Sequence, residues 1–147
     1  LRHALTRRLP YRPEQLFELV GAVELYPEFV PWVSDMRVFN RRAAGEGVTL
    51  LDATAQVGFS IIHESFSTRV RLDAPGLAVD ADLLSGPFRR LETRWRFSAT
   101  EGGSELSFVI DFEFRSRLLH TLLAANFERA VARLIGCFER RAQALYG

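Results

Sequence analysis

Lysine is missing from this chain. All 19 basic residues among the 147 are arginine, so chemistry that runs through a lysine Schiff base is closed to it. Cysteine occurs once, at Cys137, which leaves no internal disulfide framework and suits a reducing compartment. No apolar run approaches the roughly 20 residues that a membrane-spanning helix needs, and the opening LRHALTRRLPYRP has no hydrophobic signal core. Formal net charge is only +1, so the strong basic field of a nucleic-acid binder is not expected. The glycines of a phosphate-cradling or dinucleotide loop are absent, since GPFRRL has one where several are required. What remains is a globular composition, 48% apolar and 25% charged. It predicts a single domain over residues 1–147 with one sizeable core. The expected location is the cytoplasm, with peripheral contact at the inner membrane allowed.

Catalytic and metal-ligating constellations are equally scarce. His3, His63 and His120 form no close pair with another His, Cys or carboxylate at metal-ligand spacing. His63, Glu64 and Ser65 bring base, acid and hydroxyl together in sequence, but neighbours on a strand point to opposite faces. Cys137 falls in an apolar helical stripe, where an inert buried thiol is the usual outcome. No catalytic residue, no metal site and no catalytic cofactor is predicted.

Periodicity gives the architecture. LRHALTRRL reads as a first strand. Pro13 opens a short helix, PEQLFELVG, with Gly21 as its stop, and AVELY reads as a second short helical turn. From Ser34 to about Arg115 the period is two, broken at AAGEG, APG, SGP and EGG, which predicts six more strands in an antiparallel meander. The final stretch carries apolar residues at Leu119, Leu122, Leu123, Phe127, Ala130, Leu134, Ile135 and Phe138. That is a helical period held for about 30 residues, or about 45 Å of helix.

Strand parity identifies the buried face. Leu106, Phe108, Ile110, Phe112 and Phe114 share one side of a strand whose other side is Glu105, Ser107, Asp111 and Glu113. Leu91, Trp95 and Phe97 repeat the pattern, as do Leu77, Val79, Ala81 and Leu83, and Leu51, Ala53, Ala55 and Val57. Such one-sided strands belong to an antiparallel sheet covered on one face. Only the C-terminal helix is large enough to cover it. The prediction is an α+β helix-grip fold, a curved seven-stranded antiparallel sheet around a long C-terminal helix, with two short helices after the first strand. Small residues, Ala53, Ala55 and Ala81, share the inward face with large rings, which leaves room for a cavity; large-and-small interdigitation is the other reading.

Three features bear on function. ELYPEFVPWV packs Tyr26, Phe29 and Trp32 between Pro27 and Pro31, so rings of the kind found at membrane interfaces sit on irregular chain. Either they gate a cavity mouth or they plug the core. Glu64 shares the parity of Ile62, Phe66, Val70 and Leu72, and a carboxylate on an inward face needs a partner; it could anchor a polar head group or stay wet at a bulge. Asn126, on the flank of the helical stripe, is a second candidate anchor. Arg90, Arg94 and Arg96 share a solvated face, where cross-strand ion pairs with Asp80, Asp82, Asp111 and Glu113 are favoured over a free anion-binding surface.

LPYRPEQLFELVGAVELYPEFVPWV, SGPFRRLETRWRF, FVIDFEFRSRLL and CFERRAQALYG together resemble the coenzyme Q-binding protein family, a branch of the START-like, polyketide cyclase superfamily. The resemblance runs from about Leu9 to Gly147, most specifically in Tyr-Pro-x-Phe-x-Pro-Trp and in Gly-Pro-Phe before a Trp-x-Phe strand. It implies a ligand tunnel beneath the helix, holding ubiquinone or a similar isoprenoid quinone, and a non-enzymatic role in supporting respiration. On that reading the cavity would be lined by Ala53, Ala55, Glu64, Phe66, Trp95, Phe97, Phe108, Phe112, Leu123 and Phe127. Tyr26, Pro27, Phe29 and Trp32 would form the gate and touch the membrane transiently. Two alternatives stay open: a polyketide cyclase or aromatase, and a ribosome-associating protein like the related toxins. Oligomeric state is left open.

Overall fold

The computed structural model describes residues 1–59 and 62–147. β1 (Arg2–Leu9) is followed by α1 (Pro13–Gly21) and a 3₁₀ turn (Val23–Glu28). The meander is β2 (Val33–Ala43), β3 (Val48–Phe59), β4 (Ile62–Asp73), β5 (Ala78–Ser85), β6 (Phe88–Thr100) and β7 (Gly103–Phe114). Two helices close the chain, α2 (Arg117–Ala124) and α3 (Phe127–Tyr146). Among the described residues the strands form one antiparallel sheet in the order β1-β7-β6-β5-β4-β3-β2. Sequential strands are neighbours, and β1 returns to pair with β7, Leu5 opposite Phe108. This is the helix-grip architecture that the periodicity predicts.

Local chemistry sets the boundaries. Pro13 occupies the first turn of α1, and the Arg12 N–H donates to Gln15 Oε1 at 2.9 Å. Proline at that position forfeits no helical hydrogen bond. The turn into β6 depends on Gly86, at φ +145°, where an added Cβ would stand 2.6 Å from the Phe66 Cβ; only glycine tolerates both the backbone angle and the approach. Ser116 caps α2, its Oγ accepting from the Leu119 N–H at 3.2 Å.

The C-terminal helix is not continuous, which corrects the 30-residue span. Asn126, at φ −118° and ψ 17°, leaves helical geometry and starts α3, and its carbonyl accepts from the Ala130 N–H at 3.0 Å. α3 itself has 20 residues, about 30 Å of helix. The apolar stripe ran through the break because a phase slip of one or two positions leaves a mostly apolar pattern intact. Its cost shows at Leu122, read as inward and 55% exposed.

Inward parity holds on the strands: Leu51, Ala53, Ala55, Val79, Trp95, Leu106 and Phe108 are buried. The inward expectation for Ile62 falls on a side chain outside those described. α3 presses Val131, Ile135, Phe138 and Ala142 into this face, and α1 adds Leu16, Leu19 and Val20. Trp95 is the centre, its ring 4.4 Å from that of Phe108 and 4.9 Å from that of Phe138. On the convex face the arginines are paired. Arg94 reaches Asp82 at 2.8 Å, Arg96 reaches Asp80 at 2.6 Å, and Arg90 reaches Asp111 at 3.1 Å and Glu113 at 3.4 Å. No helix among the described residues is long and apolar enough to cross a membrane.

Candidate functional site

The inward face of the sheet divides into two unequal halves. The half under α3 and α1 is sealed around Trp95, Phe97 and Phe108, none more than 5% exposed. The half under α2 is a second aromatic cluster. Phe88, Leu91 and Phe112 are buried there, but Phe66, Leu83, Ile110, Phe114 and Phe127 around them stay partly exposed. β4, β5, β6 and β7 all carry inward apolar side chains here, yet their cover is Phe127 at the start of α3 and one helix of eight residues, α2, that contributes no buried residue. Close packing is therefore incomplete on the face where a core requires it.

Ring geometry defines this second cluster. Phe112 and Phe127 lie 4.4 Å apart, Phe88 stacks on Phe114 at 4.7 Å, and Phe66 meets the Phe88 ring edge-on at 5.4 Å. His120 of α2 joins them, its ring 6.2 Å from that of Phe112 and 6.4 Å from that of Phe114. Its Nδ1 is shielded from solvent and has no hydrogen-bond partner among the described residues. A cleft of about 410 Å³ runs along the outer side of the same place, lined by Arg89, Glu113, Phe114, Arg115, Arg117, His120 and Thr121.

The predicted site residues are distributed as follows. Phe66, Phe112 and Phe127 come together in the α2 cluster, with Leu123 half-buried on α2 itself. Ala55 lies opposite Phe66 across the β3–β4 ladder. Glu64 is half-buried opposite Val57, at the end of the same ladder. Ala53, Trp95, Phe97 and Phe108 belong to the sealed half. The Tyr26–Trp32 segment splits in two. Tyr26 and Phe29 meet Phe138 of α3 edge-on at 5.2 and 5.1 Å, with Pro27 inside the 3₁₀ turn between them. The Tyr26 hydroxyl donates to the Val20 carbonyl, and burial, with Glu24 second, pushes its pKa far above the ordinary phenol value. Trp32 instead faces Arg133, whose guanidinium stands 5.6 Å from the ring centre. It borders a separate cleft of about 410 Å³ with Pro31, Gly136, Cys137 and Arg140.

His120 was not among the predicted residues. The signal existed in part, since His120 and Leu123 stand three positions apart on α2. Among the described residues no three His, Cys, Asp or Glu side chains gather as metal ligands.

Comparison with known proteins agrees with the fold. The ribosome association toxin RatA of Rickettsia prowazekii is 33% identical over 141 residues, covering 94% of this chain and 93% of the toxin. The mitochondrial coenzyme Q-binding protein COQ10 homolog B of Xenopus laevis is 31% identical, covering 100% of this chain and 60% of the longer protein. An 18 kDa protein of Caulobacter crescentus, CC1736, known from its solution structure, is 52% identical with a TM-score of 0.84, over 100% of this chain and 99% of that one. With a family model matching residues 9–139, the chain belongs to the polyketide cyclase / dehydrase and lipid transport family.

Proposed function

We propose that this protein is a non-enzymatic carrier of a hydrophobic ligand, an isoprenoid quinone of the ubiquinone type, received beneath α2 and passed on to support respiratory electron transport. The observation that carries this reading is the half-covered aromatic cluster around Phe112. An inward sheet face with Phe66, Leu83, Ile110, Phe114 and Phe127 still partly open offers a flat ring and its first isoprene units apolar surface already arranged to receive them. The named activity of the COQ10 relative supports the choice of quinone. Each methylene transferred from water is worth about 0.8 kcal/mol, but a bilayer already solvates a quinone tail. Selectivity then rests on the head group, and a long tail remains outside, as suits transfer rather than storage.

Transient membrane contact fits the α2 end. Leu118 and Leu122, one helical turn apart, are 71% and 55% exposed, and Arg115 and Arg117 precede them in sequence. Arg89 and Arg117 have no carboxylate partner among the described residues. Exposed leucines on a helix whose start carries arginines match an anionic bilayer.

The likeness to RatA supports a second reading, association with ribosomes. One preparation separates the two: protein purified from a quinone-making host, its organic extract analysed by mass spectrometry, and the remainder sedimented with ribosomal subunits. Near-stoichiometric quinone is expected. A clean extract from protein that also refuses added quinone overturns the carrier reading, and cosedimentation would then favour the ribosome.

A further inference from the structure

We infer that His120 is the polar contact that holds the ligand's oxygen atom within the aromatic cluster. The inference rests on the carrier reading above, and it names a residue and an interaction.

Among the described residues, His120 Nδ1 is the one solvent-shielded side-chain nitrogen or oxygen without a hydrogen-bond partner. Leaving a buried polar atom unpaired carries a free-energy cost, and native proteins seldom accept it without a reason. Other polar side chains of the interior find partners: the Tyr26 hydroxyl donates to Val20, Ser104 donates to the Tyr11 carbonyl at 2.5 Å, and the Tyr146 hydroxyl donates to the Gln15 carbonyl at 3.1 Å. His120 is the exception, and its ring stands against Phe112 and Phe114 in the half of the face that packing leaves incomplete. Those phenyl groups offer neither a lone pair nor a strong donor.

Imidazole suits a quinone in both of its redox forms. A neutral ring carries one N–H and one lone pair and can exchange them between its nitrogens. With the proton on Nδ1, His120 donates to a quinone carbonyl. With the proton on Nε2, Nδ1 accepts from a quinol hydroxyl. The contact needs no proton transfer to the ligand and no change in net charge, so a carrier equipped with it would hold either form. A purely hydrocarbon isoprenoid has no atom to satisfy Nδ1 and would gain nothing from it.

The test compares ubiquinone-2, with its short tail, against squalene, an isoprenoid without oxygen, by titration followed through tryptophan fluorescence. His120→Leu should weaken ubiquinone-2 binding about 5- to 10-fold, the usual effect of one lost hydrogen bond, and leave squalene unchanged. His120→Asn, which keeps a donor and an acceptor on a short side chain, should recover part of the loss. The ring nitrogens of His120 in ¹⁵N-labelled wild type should shift with ubiquinone-2 and not with squalene. Thermal melting of His120→Leu at or above the wild-type midpoint is expected, because the substitution removes an unpaired polar atom. Ubiquinone-2 affinity unchanged in His120→Leu, or equal losses for both lipids, overturns the inference while leaving the carrier reading intact. Failure of the wild type to bind ubiquinone-2 at all overturns both.

Discussion

Asp52 lies on the convex side of β3, where strand parity places solvated residues, yet it is 5% exposed. The register of β2 breaks between Phe39 and Arg42, and there Asn40, at φ 56°, brings its side chain to the carboxylate. Asn40 Nδ2 donates to one carboxylate oxygen at 3.0 Å and Arg69 Nε to the other at 3.3 Å, with Arg42 3.8 Å away. These partners, the Asn40 hydrogen bond first, outweigh the cost of burial and hold the carboxyl below its ordinary value of 3.8. A depressed folded-state pKa stabilises the protein above the unfolded value, and that contribution is lost as pH falls through the folded one. Asp52→Asn should therefore cost about 1–3 kcal/mol at neutral pH, a gap that closes on acidification below about pH 4. Urea midpoints measured from pH 7 to pH 3 check this, and a gap constant across the range would contradict it. Asp52 could not be read from the sequence, because its burial depends on a bulge and a left-handed residue on another strand. His120 could have been, since it stands three positions before Leu123 on α2, but a histidine weighed only as a metal ligand or catalytic base goes unnoticed beside aromatic rings.

At the scale of elements, the strands were the most legible part. Alternation is a local property of each strand, so Leu106, Phe108 and Phe112 could be placed without knowing their partners. The same alternation put Arg90, Arg94 and Arg96 outward, where they are paired. The break between α2 and α3 was not legible. It depends on Phe127 meeting Phe112 at 4.4 Å, a contact between segments whose mutual geometry only the folded chain defines. Composition likewise could not say which way the rings of the Tyr26–Trp32 segment turn. Tyr26 and Phe29 are packed on Phe138, which leaves α2 with the more exposed apolar residues. Replacing Leu118 and Leu122 together by Ser should weaken binding to phosphatidylglycerol-containing vesicles about 30-fold or more, since each exposed leucine that reaches the acyl region is worth on the order of 1 kcal/mol or more. Trp32→Ala should bind these vesicles nearly as wild type does. Flotation assays with both variants decide the matter, and the reverse order would move the membrane contact to the Trp32 side.

For the whole molecule, two unequal halves imply unequal stability. α3 contributes Val131, Ile135, Cys137, Phe138 and Ala142 as buried residues, and α2 contributes none. Local opening free energy follows buried apolar contact. Amides of α2 should exchange with deuterium well before those of β6, β7 and the second half of α3, and ubiquinone-2 should slow exchange at α2 selectively. Uniform protection across both helices would contradict the two-part description. The family resemblance was readable end to end because its marks, Tyr-Pro-x-Phe-x-Pro-Trp and the Trp-x-Phe strand, lie where the backbone is most constrained. The unequal covering of the sheet was not, because it depends on how two helices share one face.

The ion pairs along β5, β6 and β7 have an effect beyond that face. Arg90, Arg94 and Arg96 stand there among Asp80, Asp82, Glu92, Asp111 and Glu113, and Arg2, Arg69 and Arg71 lie opposite Asp111, Asp82 and Asp80 on the same face, so charge on the back of the sheet is close to balanced. Arg89, Arg115 and Arg117 collect at the α2 end around a single nearby carboxylate, Glu113, which Arg90 already engages. Arg129, Arg133 and Arg140 likewise gather at the Trp32 cleft, so the guanidinia not matched across the sheet stand on the side that carries the helices, and a negatively charged surface draws that side toward it. It would arrive with its helices foremost and its sheet behind, before any leucine touched lipid.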